Sequence, residues 1–156
     1  SLFRKTLIHG KVHDEGAALL DGISGHAGLF GNANDLGKLM QMYLHKGYYG
    51  GQQFIEPSTL TYWTSYPFTI NENSRRGVGF DKVERKKPGI SAAPSASEQS
   101  FGHSGFTGTY TWIDPAHDLV YVFLSNRVYP TRDNKVFSTL NLRPKIQEAI
   151  YSALVN

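Results

Sequence analysis

The residues in this chain best suited to chemistry are histidines set among glycines. His103 lies in Phe101-Gly102-His103-Ser104-Gly105-Phe106-Thr107-Gly108, His26 in Gly25-His26-Ala27-Gly28, and His13 in Val12-His13-Asp14-Glu15. An imidazole can pass a proton, or orient an anion when charged, and its ordinary pKa of about 6.5 makes that help depend on pH. Asp14 could orient His13, or the side chains of this stretch could equally hold turns together through backbone hydrogen bonds. His103 could likewise be a polar strand residue between two glycines. Three nitrogens from His13, His26 and His103 would suffice for a catalytic zinc, but no helical His-x-x-x-His spacing supports one, so no metal is expected. The chain has no cysteine, which excludes a thiolate nucleophile, a cysteine zinc site and a disulfide framework.

The elements that must position these residues are legible in part. Residues 1–30 are rich in Gly, His and Asp without a sustained period and read as irregular structure with tight turns. Leu36, Leu39, Met40, Tyr43 and Leu44 fall at helical spacing, with Asn32 or Asn34 to cap and Gly47 to stop, which predicts a helix over 34–46. Tyr48 to Gly51 is a turn, and Pro57 opens a short helix to about Ser65. Gly77-Val78-Gly79-Phe80 suggests a short strand, and residues 83–99 read as a mobile surface loop. Alternation over Thr109–Ile113, turn chemistry over Asp114–Asp118 and the apolar run Leu119–Leu124 predict a hairpin whose second strand is buried on both faces. Pro144 with Ile146, Ala149, Ile150, Ala153 and Leu154 predicts a final amphipathic helix packed on that sheet. Tyr110 and Trp112 are expected in core or edge packing, and Asn126-Arg127, just past the hairpin, could anchor a loop or line a pocket.

At 156 residues, 40% of them apolar and 19% charged, the chain is long enough for one compact domain or a piece of one. No apolar run is long enough to span a membrane. The net charge is +3, and the basic clusters Arg75-Arg76 and Arg85-Lys86-Lys87 border loop-like sequence. They read as solvated loop charge rather than a phosphate-binding surface, so no nucleic acid is expected.

Two stretches carry a family resemblance. Gly25-His26-Ala27-Gly28-Leu29-Phe30-Gly31-Asn32-Ala33-Asn34-Asp35-Leu36 resembles the segment before a long helix in β-lactamase-like esterases and penicillin-binding proteins. Phe101 to Gly108, then Trp112-Ile113-Asp114-Pro115 and Val122 to Arg127, is similar to that family's Lys/His-Thr/Ser-Gly strand, its hairpin and the strand closing on Asn. The resemblance implies an α+β fold, an α/β sandwich of the β-lactamase/transpeptidase type with an antiparallel sheet and flanking helices. Residues 1–156 would form a single partial domain, the C-terminal portion. It implies cleavage of an amide or ester through a serine acyl-enzyme, without cofactor, in a periplasmic or extracytoplasmic bacterial setting.

On this likeness His103 replaces the usual lysine, Ser104 bonds a substrate carboxylate, Gly105 admits the substrate backbone and the N–H of Phe106 is an oxyanion-hole donor. His13, His26 and Ala27 would lie at the rim as substrate-binding residues, with Arg127 as a further candidate. The family's Ser-x-x-Lys and Tyr-x-Asn motifs are not in this sequence. They are expected upstream, leaving this chain inactive alone and with an exposed core that the missing N-terminal part of the domain, or a second copy, would cover. The expected ligand is a small molecule or a peptidoglycan-like substrate. The alternative is a non-catalytic module that binds a cell-wall-like or other anionic ligand.

Overall fold

The structure is a computed structural model that describes residues 4, 6–67, 74–84 and 89–154. Residues Arg85, Lys86 and Lys87 lie outside these, so the second basic cluster is not among the described residues. The chain folds as two compact units, Ser1–Asn32 and Ala33–Asn156.

The first unit is mostly turns around one short helix, α1 (Glu15–Leu19), capped by the Asp14 side chain, which accepts from the Ala17 N–H at 2.7 Å. Its only fully buried helical residue is Ala17.

The second unit begins with α2 (Ala33–Leu44), close to the expected helix. Met40 is buried by it and Leu36, Tyr43 and Leu44 pack beside the same cluster, whereas Leu39 lies exposed. Gly47 ends the turn after the helix: its φ is +89°, and a Cβ there would stand 2.0 Å from the Ile55 carbonyl oxygen. A two-residue hairpin follows, β1 (Tyr48–Tyr49) and β2 (Gln52–Gln53), then α3 (Pro57–Thr64) with its proline in the first turn.

The main sheet is antiparallel, with strands β3 (Asp81–Lys82), β4 (Phe101–Ser104), β5 (Tyr110–Asp114) and β6 (Leu119–Phe123) in that spatial order. Gly102 stands opposite Trp112, and Trp112 opposite Tyr121. The period of two sorts the side chains. Phe101 and Ile113 face Met40 of α2, with Val120 and Val122 beside them, while Tyr110, Trp112 and Tyr121 pack with Val83, Ala92 and Ile150 on the other face. Short α4 (Val136–Thr139) leads to α5 (Leu142–Ala153), which contributes Ile150 to that second face. The architecture is α+β, an antiparallel sheet with helices on both faces, as the sequence implies.

Four expectations are corrected. Gly77–Phe80 is not a strand but a tight turn, with the Gly77 N–H on the Phe80 carbonyl at 2.8 Å, and pairing begins at Asp81. The described residues of 83–99 form a loop, but one anchored in the core rather than wholly at the surface: Ala92 and Ala93 are buried, Ala93 N–H donates to Gln147, and the Tyr110 hydroxyl donates to the Ser91 carbonyl. Small side chains there let the backbone lie close against the sheet and α5. β6 is only half-buried except at Tyr121, because it pairs on one side alone among the described strands. Finally, α5 buries Pro144, Gln147 and Tyr151, leaving Ile146, Ala149, Ala153 and Leu154 exposed. The buried stripe is rotated from the apolar one because Gln147 and Tyr151 have polar partners in the core.

Candidate active site

Strand β4 alternates its side chains, so His103 shares a face with Phe101 while Ser104 turns to the face of Tyr110, its cross-strand partner. His103 Nδ1 lies 3.0 Å from its neighbour's carbonyl oxygen, that of Ser104, and His103 Nε2 lies 2.9 Å from Nη1 of Arg76. A guanidinium can only donate and a carbonyl can only accept. Both bonds are therefore met by a neutral imidazole that carries its hydrogen on Nδ1. The positive charge at this point of the strand sits on Arg76, where the sequence alone suggested His103 itself.

Arg76 does not stand alone. Arg75 Nη1 and Arg76 Nη1 converge on Oδ1 of Asp81 at 2.7 and 2.9 Å, and Asp81 is almost wholly buried. The reading of Arg75-Arg76 as solvated loop charge is thus corrected: the turn over Gly77–Phe80 folds the two arginines back onto the first residue of β3. A buried carboxylate between two guanidiniums is compensated, which isolated burial would not allow.

The turn after β4 is held by its carbonyl groups. Gly105 N–H donates to Thr109 O at 2.8 Å and Gly108 N–H to Gly105 O at 3.1 Å. Arg143 Nη2 donates to Gly105 O at 2.9 Å and Arg143 Nε to Gly108 O at 3.2 Å. Arg127 Nε donates to Phe106 O at 2.6 Å, its backbone N–H to Thr107 O at 2.9 Å, and its guanidinium lies 4.3 Å from the Phe106 ring centre. Arg127 thus anchors the turn. Glycine is required at two corners: a Cβ on Gly105 would meet Thr109 Oγ1 at 2.3 Å, and Gly108 has a φ of +112°.

Beside this turn lies a cleft of about 200 Å³, lined by Ser104, Arg75, Asp81, Tyr110, Asn141 and Arg143 among others. A hydroxyl with two guanidiniums is a donor set suited to a carboxylate. Burial, with lesser contributions from Tyr121 and Tyr151, pushes the Tyr110 phenol far up, so it stays a neutral donor. Asp81, Arg76 and Arg143 were not among the candidates from sequence. The charge opposition of Arg75-Arg76 and Asp81 across a Gly-Val-Gly turn was a usable signal for the first two; nothing local marks Arg143.

His13, His26 and Ala27 belong to the first unit. Asp14 engages His26: its Oδ1 lies 2.8 Å from His26 Nε2. His13 and Ala27 are half-buried and His26 is exposed. Among the described residues no group of three or more His, Cys, Asp or Glu could hold a metal ion.

The Beta-lactamase family model matches residues 4–141. The chain belongs to the beta-lactamase family. Among curated proteins of this kind, it is 38% identical over 125 residues to the "N-acetylmuramyl-L-alanine amidase" of Bacillus subtilis, a match covering 80% of this chain and 28% of that protein. It is 34% identical over 159 residues to the "Putative D-alanyl-D-alanine carboxypeptidase" of a Salmonella enteritidis strain, covering 98% of this chain and 35% of that protein. The chain thus spans about a third of the length of these relatives. A crystal structure titled "putative beta-lactamase from Bacteroides dorei" aligns over 81% of this chain and 42% of its own, with 18% identity and a TM-score of 0.46.

Proposed function

We propose that this chain is the substrate-holding portion of a serine hydrolase that opens an amide or ester through an acyl-enzyme. The observation that carries this reading is the β4 strand: His103, Ser104 and Gly105 sit at the start of a turn clamped by Arg127 and Arg143, beside a cleft whose donors suit a carboxylate. The membership in the beta-lactamase family supports it, and so do the names of the relatives, which point to cell-wall peptides bearing D-alanine or a muramyl amide. Ser104 would bind the terminal carboxylate, and Arg75 and Arg143 would supply the positive field there. Phe106 N–H would serve as one oxyanion donor, with the turn's geometry fixed by its arginine clamps. Arg76 would hold His103 in the tautomer seen here. His13, His26 and Ala27 would contribute to substrate binding, and no cofactor would be needed.

The nucleophile and its base, Ser-x-x-Lys, and the Tyr-x-Asn motif would be supplied by another segment of the same domain, pairing against the outer edge of β6 or covering the exposed apolar residues. The strand site of the chain alone would release no D-alanine. The test is release of D-alanine from an acyl-D-alanyl-D-alanine peptide, measured for this chain alone and for a protein extended to include a Ser-x-x-Lys segment. Turnover by the extended protein only is the expected result. Saturable peptide binding with no turnover in either would favour a binding module instead.

A further inference from the structure

The first unit contains a second chain of hydrogen bonds that the strand site does not use. Asp14 Oδ1 lies 2.8 Å from His26 Nε2, and His26 Nδ1 lies 2.5 Å from Ser24 Oγ. The Asp14 carboxyl is held below the usual range, first by the Ala17 N–H that it caps and then by His26. A carboxylate can only accept, so His26 Nε2 must carry the ring hydrogen. Nδ1 is then a lone-pair acceptor, and the bond between it and Ser24 must be made with the serine's own hydrogen. Hydroxyl, imidazole and carboxylate thus stand in the order of an activated serine, with the two ring nitrogens exchanged relative to the usual protease arrangement. His26 and Asp14 are open to solvent, 56% and 43% exposed at the side chain, and Ser24 is half-buried. Nothing stands within 4 Å of where a Cβ of the intervening Gly25 would be, so an acyl donor can approach.

We propose that Ser24 is an acyl-accepting nucleophile for activated esters and similar small acyl donors, with His26 as its general base and Asp14 as the residue that positions His26. In the acylation step, Ser24 Oγ forms a bond to the carbonyl carbon while its proton passes to His26 Nδ1. The bond from that carbon to the leaving oxygen breaks, and the departing alkoxide takes the proton from His26. The acyl group remains on Ser24 as an ester, and a water activated by the same imidazole releases it as the acid. The site owes nothing to a Ser-x-x-Lys segment, so it stands or falls separately from the strand site.

The experiment uses the chain as it is, treated with a fluorophosphonate and followed by intact mass and peptide mapping. The expected result is a single adduct on Ser24 that Ser24→Ala abolishes. Asp14→Asn keeps a side-chain oxygen to cap α1 but lacks the negative charge that stabilises the imidazolium formed when His26 takes the serine's proton. It should label at least about tenfold more slowly, within the range of general-base effects, with an unchanged circular dichroism spectrum. Asp14→Glu, which restores the charge, should recover part of that loss. No adduct, an adduct on another residue, or labelling of Asp14→Asn at the wild-type rate overturns the proposal.

Discussion

Arg76 decides what His103 can do. With Nε2 accepting from the guanidinium and Nδ1 donating to the Ser104 carbonyl, the neutral ring has one tautomer. Nitrogen-15 correlation spectra of the neutral imidazole should show the hydrogen on Nδ1, and Arg76→Met should release a mixture of tautomers. Persistence of a single Nδ1–H form in the variant would show that Arg76 is not the cause. Ser104→Ala, in an extended and active protein, should raise KM for a carboxylate-terminated peptide roughly tenfold, since a hydrogen bond to a charged group contributes about 1.5 kcal/mol or more. An unchanged KM would place the carboxylate elsewhere. The residues His103, Ser104, Gly105 and Phe106 were legible in the sequence because they are contiguous. Asp81 was legible only as a charge opposite Arg75-Arg76 across a short turn, and Arg143 was not, because its partner, the 105–108 turn, is brought near only by the folded register.

At the level of elements, β4 depends on Gly102. A Cβ there would meet Thr111 O at 2.2 Å and Trp112 Cε3 at 2.4 Å, both within the neighbouring strand β5. Gly102→Ala should therefore destabilise the second unit by about 1–3 kcal/mol, the usual cost of overpacking, read as a lowered midpoint in denaturant. A neutral result would mean that the two strands can part without cost. Helix α2 and the β5–β6 hairpin were legible because a strong period survives in each. The segment 83–99 was not, since its small and polar residues look like solvent-facing loop until their partners are known. Ser97 donates to Asp114 through both backbone N–H and hydroxyl, and Ser95 donates to Glu148 of α5. The face of α5 was misjudged for the same reason: Gln147 is fully buried because its Oε1 accepts from the Ala93 N–H and shares the one Tyr110 hydroxyl hydrogen with the Ser91 carbonyl, which no hydrophobic pattern reveals.

For the molecule as a whole, two buried groups set opposite ends of the stability profile. Burial pushes the Asp114 carboxyl up, but hydrogen bonds from Ser97, Tyr151 and His117 outweigh it and hold the carboxyl below its ordinary 3.8. A depressed carboxyl stabilises the fold above its unfolded pKa, and that contribution is lost as pH falls below 3.8 through the lower folded value. Lys82 is buried, donates to Gln99 O at 3.0 Å and lies over the Tyr66 and Phe101 rings. Burial lowers its amine from 10.5 to about 8, against the opposing pull of Asp114 and Glu98. Between those two values the unfolded chain holds the proton and the folded one does not, so stability should rise with pH from about 8 to 10.5. Lys82→Met should flatten that rise and add at most ~3 kcal/mol at neutral pH. Urea melts across this range would show it, and a rise that survives the substitution would assign it to another group.

The most direct measurement of the chain's role is intact mass after exposure to benzylpenicillin, on a protein in which this chain is joined to a Ser-x-x-Lys segment of its own domain. The expected result is one penicilloyl adduct on that serine, formed more slowly in Ser104→Ala and absent from the chain alone. An adduct that forms at the same rate without Ser104, or no adduct at all, would contradict the assignment of β4 as the strand that holds the substrate.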